Sequence, residues 1–134
     1  MVYIISHNVR GLNDQNSIND KIKPLLQLKP DIILIQETKI HSNFNLSNSF
    51  FSISSNASAG VLTYINNQNL KIIENVILSN RILITIIEQF IVCNIYAPND
   101  HKEKITFLKQ LHNILLNFKD KYPHFSLIIG GDFN

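Results

Sequence analysis

Five polar residues stand where their side chains could do chemistry together. Asp132 and Asn134 belong to the stretch Ser-Leu-Ile-Ile-Gly-Gly-Asp-Phe-Asn, residues 126 to 134. They occupy alternate positions, so an extended chain would point a carboxylate and a carboxamide the same way. The apolar run from Leu127 to Ile129 reads as a buried strand bounded by Gly130 and Gly131, a pair that permits a tight turn or a close backbone approach. Asn8 lies at the exit of an apolar N-terminal stretch, Glu37 follows the run Ile32 to Ile35, and Tyr96 ends the run Phe90 to Ile95. Such oxygen donors suit Mg²⁺, which takes one or two carboxylates with carbonyl oxygens, waters and often a substrate phosphate. Glu37 with Asn8 fits a weak, open site of that kind. By spacing alone, a solvated glutamate after a strand and an asparagine in a turn are the commoner explanation of these two.

The elements that must position these residues follow from periodicity. Val2 to Ile5 is β-branched and aromatic, and turn residues Gly11, Asn13 and Asp14 follow it. Ile18, Ile22, Leu25, Leu26 and Leu28 have helical spacing. A helix starting near Asn19 or Asp20 would hold Pro24 in its first turn, and Pro30 would close it. Ile32 to Ile35 is a strand covered on both faces. This βαβ unit should cross over right-handed, which puts Asn8 and Glu37 on one sheet edge, where α/β sheets bind ligands. His41 to Asn48 is a polar loop. Phe50 to Ser54, Gly60 to Ile65, Leu70 to Leu78, Arg81 to Glu88 and Phe90 to Tyr96 read as strands. Asn66-Asn67, Ser79-Asn80 and Glu88-Gln89 read as hairpin connections in a mostly antiparallel meander. Pro98 takes the chain out of the last of these strands. Ile105, Leu108, Leu111, Leu115 and Phe118 mark a helix from Lys102 to Lys121, stopped at Tyr122-Pro123.

Composition sets bounds on the whole. A chain of 134 residues with 45% hydrophobic and 16% charged residues is expected to be one globular domain. The net charge of +2 neither requires nor excludes nucleic acid. Cys93 has no partner for an internal disulfide and reads as a buried spectator thiol. No stretch reaches the roughly 18 apolar residues of a membrane span. No basic region precedes the first apolar residues, so no signal peptide is read and an intracellular setting, nucleus or cytoplasm, is expected.

In order along the chain, Asn8-Val-Arg-Gly-Leu, Gln36-Glu37-Thr38, Asn94-Ile-Tyr96-Ala-Pro and Gly131-Asp132-Phe-Asn134 resemble the motifs of the endonuclease/exonuclease/phosphatase superfamily. That superfamily includes DNase I-like nucleases, AP endonucleases and inositol polyphosphate 5-phosphatases. The first and third motifs are most similar to the endonuclease domains of LINE-type, non-LTR retrotransposons. The motifs cover this chain but correspond to the N-terminal half, or slightly more, of the family domain. The resemblance implies an α/β fold: part of a four-layer sandwich of the DNase I-like type, with two largely antiparallel sheets and outer helices. It implies Mg²⁺ as cofactor, with Mn²⁺ as a substitute, held by Glu37 as principal ligand and by Asn8. It places Tyr96 beside the scissile phosphate, Asp132 on the attacking water and Asn134 on the phosphate. DNA is the implied partner, with no membrane.

Two departures qualify the implied activity. Arg10 stands where AP endonucleases carry an acidic residue, which fits the retrotransposon branch. The family's distal Ser-Asp-His motif does not occur within these residues, and His7, His41, His101, His112 and His124 do not replace it. The expectation is an incomplete, inactive copy of a Mg²⁺-dependent DNA endonuclease domain, with a missing C-terminal half or self-association to cover its open side. One alternative is a non-catalytic relic or nucleic-acid-binding fragment. Another is a phosphatase of a phosphorylated lipid or small molecule, for which no basic pocket is evident.

Overall fold

The computed structural model describes residues 1–12, 14–41, 44–53 and 59–134. Among the described residues, eight strands form two four-stranded sheets. The first sheet holds β1 (Ile4–Asn8), β2 (Ile32–Gln36), β3 (Ser49–Phe51) and β4 (Val61–Ile65), in the order β1-β2-β4-β3. The second holds β5 (Ile72–Ser79), β6 (Ile82–Ile87), β7 (Phe90–Tyr96) and β8 (Ser126–Asp132), in sequence order. Each sheet contains one parallel pair, β1 with β2 and β7 with β8; the other pairings are antiparallel.

Alternation along the strands explains the layers. In β2, Ile33 and Ile35 face outward onto Ile18 and Ile22, while Ile32 and Leu34 face inward onto Ile87 and Val92 of the second sheet. Both faces are therefore covered, and the whole of β2 is buried. In the second sheet, Ile82, Ile84, Ile86, Ile91, Cys93 and Ile95 face outward beneath Phe107, Leu111 and Leu115 of α3 (His101–Lys121). Burying each such side chain contributes about 1.5–3 kcal/mol. The Asp100 carboxylate caps α3 by accepting the Glu103 N–H at 3.0 Å. The result is helix, sheet, sheet, helix, as the resemblance implied. Among the described residues no helix is long and apolar enough to cross a membrane.

Several expectations need correction. The first helical region is two short helices, α1 (Gln15–Lys21) and α2 (Lys23–Leu26). Asp14 caps α1 earlier than expected, and Pro24 is accommodated in the first turn of α2, where its missing N–H costs little. Asn66-Asn67 is no hairpin, because β4 and β5 lie in different sheets. Both backbone N–H groups donate to the Asp31 carbonyl, and the Asn67 side chain donates to the Asp31 carboxylate at 2.8 Å, so the chain folds over the start of β2 and leaves the first sheet. β1 begins later than Val2 and runs on to Asn8. β3 is shorter than expected, and Ser54, like the turn residue Asn13, lies outside the described residues.

The closing strand is not buried. β8 is an edge strand, with Leu127 37% and Ile129 40% exposed. The buried side chains of α3 pack on β6 and β7, and Leu127 and Ile129 on the outer face of β8 stay open. Nor do the two glycines make a turn. Both lie within β8, and both serve close approach. A Cβ on Gly130 would stand 2.6 Å from Leu34 Cδ1 in the facing sheet. Gly131 has φ +142°, and a Cβ there would stand 2.0 Å from the Ile95 carbonyl oxygen.

Candidate active site

Register decides which side chains meet. Asn8 pairs with Gln36 in the first sheet, and Tyr96 pairs with Asp132 in the second, both in parallel ladders. Paired residues share a face. Gln36 faces the space between the sheets, where it donates to the Asn94 carboxamide oxygen at 2.9 Å. Asn8 therefore faces inward too. Asn94 and Tyr96, two apart on β7, share the inward face, and Tyr96 brings its partner Asp132 with it. At this end the four strand termini carry polar groups into one place. The Asn8 Nδ2 donates across the gap to Asp132 Oδ2 at 2.8 Å.

Each member is held by named contacts. The Asn8 Oδ1 accepts the Arg10 backbone N–H at 3.0 Å. Glu37 follows β2 with φ 58°, a left-handed conformation that costs a non-glycine residue roughly 1–2 kcal/mol. Surrounding backbone bonds impose it. The Glu37 carbonyl accepts Gly11 N–H at 2.7 Å, the Thr38 carbonyl accepts Leu12 N–H at 2.8 Å, and Thr38 N–H donates to Gly60 at 3.2 Å. Arg10, Lys39 and Ala59 on the same rim are also left-handed. Strain kept by an over-determined frame is common where side chains are aimed for function.

Tyr96 contacts Glu37 with its side chain and is laddered to Asp132 by its backbone. Its hydroxyl lies 3.4 Å from Glu37 Oε1, a long contact, and its backbone is paired with Asp132. Burial, then the Glu37 charge, push the phenol above the usual tyrosine range, and Asp132 pushes the same way, while Arg81 opposes them. The phenol thus stays protonated, a donor at neutral pH. Arg81 fixes it from behind: Nη1 donates to the Tyr96 carbonyl at 2.9 Å and the guanidinium lies 5.0 Å from the ring centre.

Asp132 is clamped on both oxygens, since Oδ1 accepts the Asn134 backbone N–H at 2.9 Å. Asn134 departs from the expected alternation. β8 ends at Asp132, Asn134 is left-handed at φ 48°, and its carboxamide donates to the Ala97 carbonyl at 2.6 Å. The Lys104 ammonium bonds the Asn134 carbonyl. Asn8, Glu37, Tyr96 and Asp132 are thus brought together, with Asn134 turned aside at their margin.

The donors fit a hard cation. They are oxygens only, Glu37 is half-buried, and the Asn8 carbonyl keeps a second lone pair beyond its bond to Arg10. Among the described residues no three His, Cys, Asp or Glu side chains cluster as a metal cage, so such a site would rest on few protein ligands and water. All five histidines are solvent-exposed. Sequence reasoning missed Gln36, Asn94 and Arg81 as supports. For Asn94 a signal existed: a polar residue inside an apolar strand, on the parity of Tyr96.

The fold is shared with solved structures of an endonuclease and an exonuclease. The catalytic domain of APE2 from Xenopus laevis superposes with a TM-score of 0.69 at 21% identity, over 99% of this chain and 58% of that one. An AP endonuclease from Archaeoglobus fulgidus gives 0.67 at 22% identity, over 99% and 57%. A 3'-5' exonuclease from Neisseria meningitidis gives 0.65 at 21%, over 99% and 58%. The chain therefore has the mixed α/β fold of the DNase I-like AP endonucleases and spans somewhat over half the length of these structures. No protein-family model and no curated protein matches the sequence.

Proposed function

We propose that this chain forms the cation-binding and water-orienting part of a Mg²⁺-dependent endonuclease that hydrolyses DNA phosphodiesters. The observation that supports it best is the Asn8–Asp132 hydrogen bond, which joins the two sheets at the end where Glu37 and Tyr96 also meet. In this reading Glu37 and the Asn8 carbonyl hold Mg²⁺ or Mn²⁺. The bound cation supplies positive charge against the charge that develops on the phosphate. Asp132, fixed by two donors, accepts from and aligns the attacking water. The Tyr96 phenol donates to a phosphate oxygen, and low local dielectric strengthens that bond. The Asn134 carboxamide gives one N–H to the Ala97 carbonyl, and its second N–H is the donor left for the phosphate. Arg10 at the rim favours the retrotransposon type of enzyme over one reading abasic sites. Histidine assistance, implied by the family resemblance, has no candidate among the exposed histidines, so this chain alone should cut slowly.

The test is nicking of supercoiled plasmid with Mg²⁺. It compares the chain, its Glu37→Ala and Asp132→Ala variants, and the chain joined to the C-terminal part of the Archaeoglobus fulgidus enzyme. Nicking by the joined protein that both substitutions abolish is the expected result. DNA retention without cleavage in every form would make the chain a binding module. Phosphate release from a phosphorylated lipid, with no action on DNA, would make it a phosphatase.

A further inference from the structure

Gln36 and Asn94 form a buried, hydrogen-bonded amide pair between the sheets, 1% and 0% exposed. Their bonds are matched on both sides. Gln36 Nε2 donates to Asn94 Oδ1 at 2.9 Å and to Ser6 Oγ at 3.1 Å. Asn94 Nδ2 donates to the carbonyls of Leu62 at 2.9 Å and Ile35 at 3.2 Å, reaching from the second sheet into the backbone of the first. The same layer also holds the apolar Ile32, Leu34, Ile87 and Val92 and the smaller Thr63 and Thr85. Cohesion alone would be served by two more apolar side chains, because desolvated amides contribute little net stability even when satisfied. What amides add is direction. Apolar surfaces slide past one another at small cost, whereas these bonds require one offset between β2 and β7.

That offset matters at this place above others. Gln36 directly precedes Glu37 and is paired with Asn8, while Asn94 lies two residues before Tyr96, the partner of Asp132. The other direct side-chain links here, Asn8 to Asp132 and Tyr96 to Glu37, involve only partly buried groups that would engage cation, water and phosphate. They are poorly suited to hold the frame while doing so. We infer that Gln36 and Asn94 are positioning residues that set the offset between the two sheets and thereby the placement of Glu37 and Asn8 against Tyr96 and Asp132. The functional consequence rests on the cation-site reading given above; the geometric claim does not.

The test uses the near-isosteric apolar double variant Gln36→Met/Asn94→Leu, with two NMR readouts on the folded protein. In the metal-free state, the Asn8 side-chain NH₂ should lose its protection from solvent exchange and its contacts to Asp132. On adding Mn²⁺, paramagnetic broadening around Glu37 should require about ten- to a hundredfold more ion than in the parent, the usual effect of disturbing residues that orient metal ligands. Thr85→Val is the control. Thr85 is buried in the same layer and bonds Asn75 at 3.0 Å, away from the site, so its loss should lower stability and move neither readout. Should the double variant not fold, Asn94→Ser removes the reach to the first sheet and is read the same way. A folded variant with parental Asn8 protection would overturn the inference, as would a Thr85→Val protein showing the same changes. A parent that binds no Mn²⁺ would sink the cation-site reading, and the Asn8 readout would still decide the positioning role.

Discussion

The Asn8–Asp132 bond is open to a quantitative test without metal or DNA. It is a 2.8 Å bond from a neutral amide to a carboxylate. Such bonds contribute about 1.5–3 kcal/mol when buried, and both groups here are only half-buried, so about 1 kcal/mol is a sensible figure. Single substitutions do not isolate it. Asn8→Ala also removes the acceptor of the Arg10 N–H, and Asp132→Ala also removes the acceptor of the Asn134 N–H. A double-mutant cycle cancels these extra losses. Urea unfolding at neutral pH of the parent, both single variants and the double variant should give a coupling of about 1 kcal/mol, roughly half a molar in midpoint for a typical slope. Additivity within about 0.3 kcal/mol would mean that the two sheets do not meet through these side chains. The proposed site would then lose its central contact.

Three further outcomes follow from the geometry. The Tyr96 phenol should titrate above the tyrosine range; Glu37→Gln should lower that titration and Arg81→Gln should raise it, as read by ultraviolet or ¹³C NMR titration, and the reverse order would contradict the contact. A raised folded value means the neutral phenol supports the fold below the unfolded pKa, so this contribution fades as pH rises past about 10, and urea midpoints across that range should show the decline. Gly131→Ala should cost at least about 3 kcal/mol in unfolding measurements, since it forces a Cβ onto the Ile95 carbonyl at a φ that L-residues avoid. Burial pushes the Cys93 thiol up to about 12, so a thiol reagent at mildly alkaline pH should label it only after unfolding, and rapid labelling of native protein would refute its burial.

Much of this was legible from residue types. The unbroken apolar run of β2 announced a strand covered on both faces, and the helical spacing marked α3, although its buried stripe runs through Phe107, Leu111 and Leu115 while Ile105 and Leu108 of the pattern are exposed. Motif order pointed to the fold that the structural neighbours share. What was illegible depended on partners distant in sequence. The Asn66-Asn67 pair looks like any hairpin turn until Asp31 is known to capture it. Leu127 and Ile129 look buried until β8 proves to have a single neighbour. Alternation would have aimed Asn134 with Asp132, but the Ala97 carbonyl draws its carboxamide away. Gln36 and Asn94 are separated by 58 positions, and nothing local to either predicts the other.

The placement of the site follows from the topology itself. A parallel pair sets two strand termini level, which an antiparallel hairpin cannot do. Each sheet has one such pair, β1 with β2 and β7 with β8, and the Asn8–Asp132 bond shows that the two pairs end on the same side. Four chain exits therefore meet at one rim, where backbone no longer needed for ladders can turn sharply, as it does at Arg10, Glu37 and Asn134. The inward parity that elsewhere delivers Ile and Leu to the core here delivers Asn8, Gln36, Asn94, Tyr96 and Asp132. A one-residue slip of β8 against β7 would send Asp132 outward while keeping most ladder bonds. Gly131, wedged against the Ile95 carbonyl, and the Gln36–Asn94 pair oppose such slips within a sheet and between sheets respectively. Stability and chemistry are thus specified by different residues on the same strands, which is why a core that folds well does not by itself ensure a site that is correctly aimed.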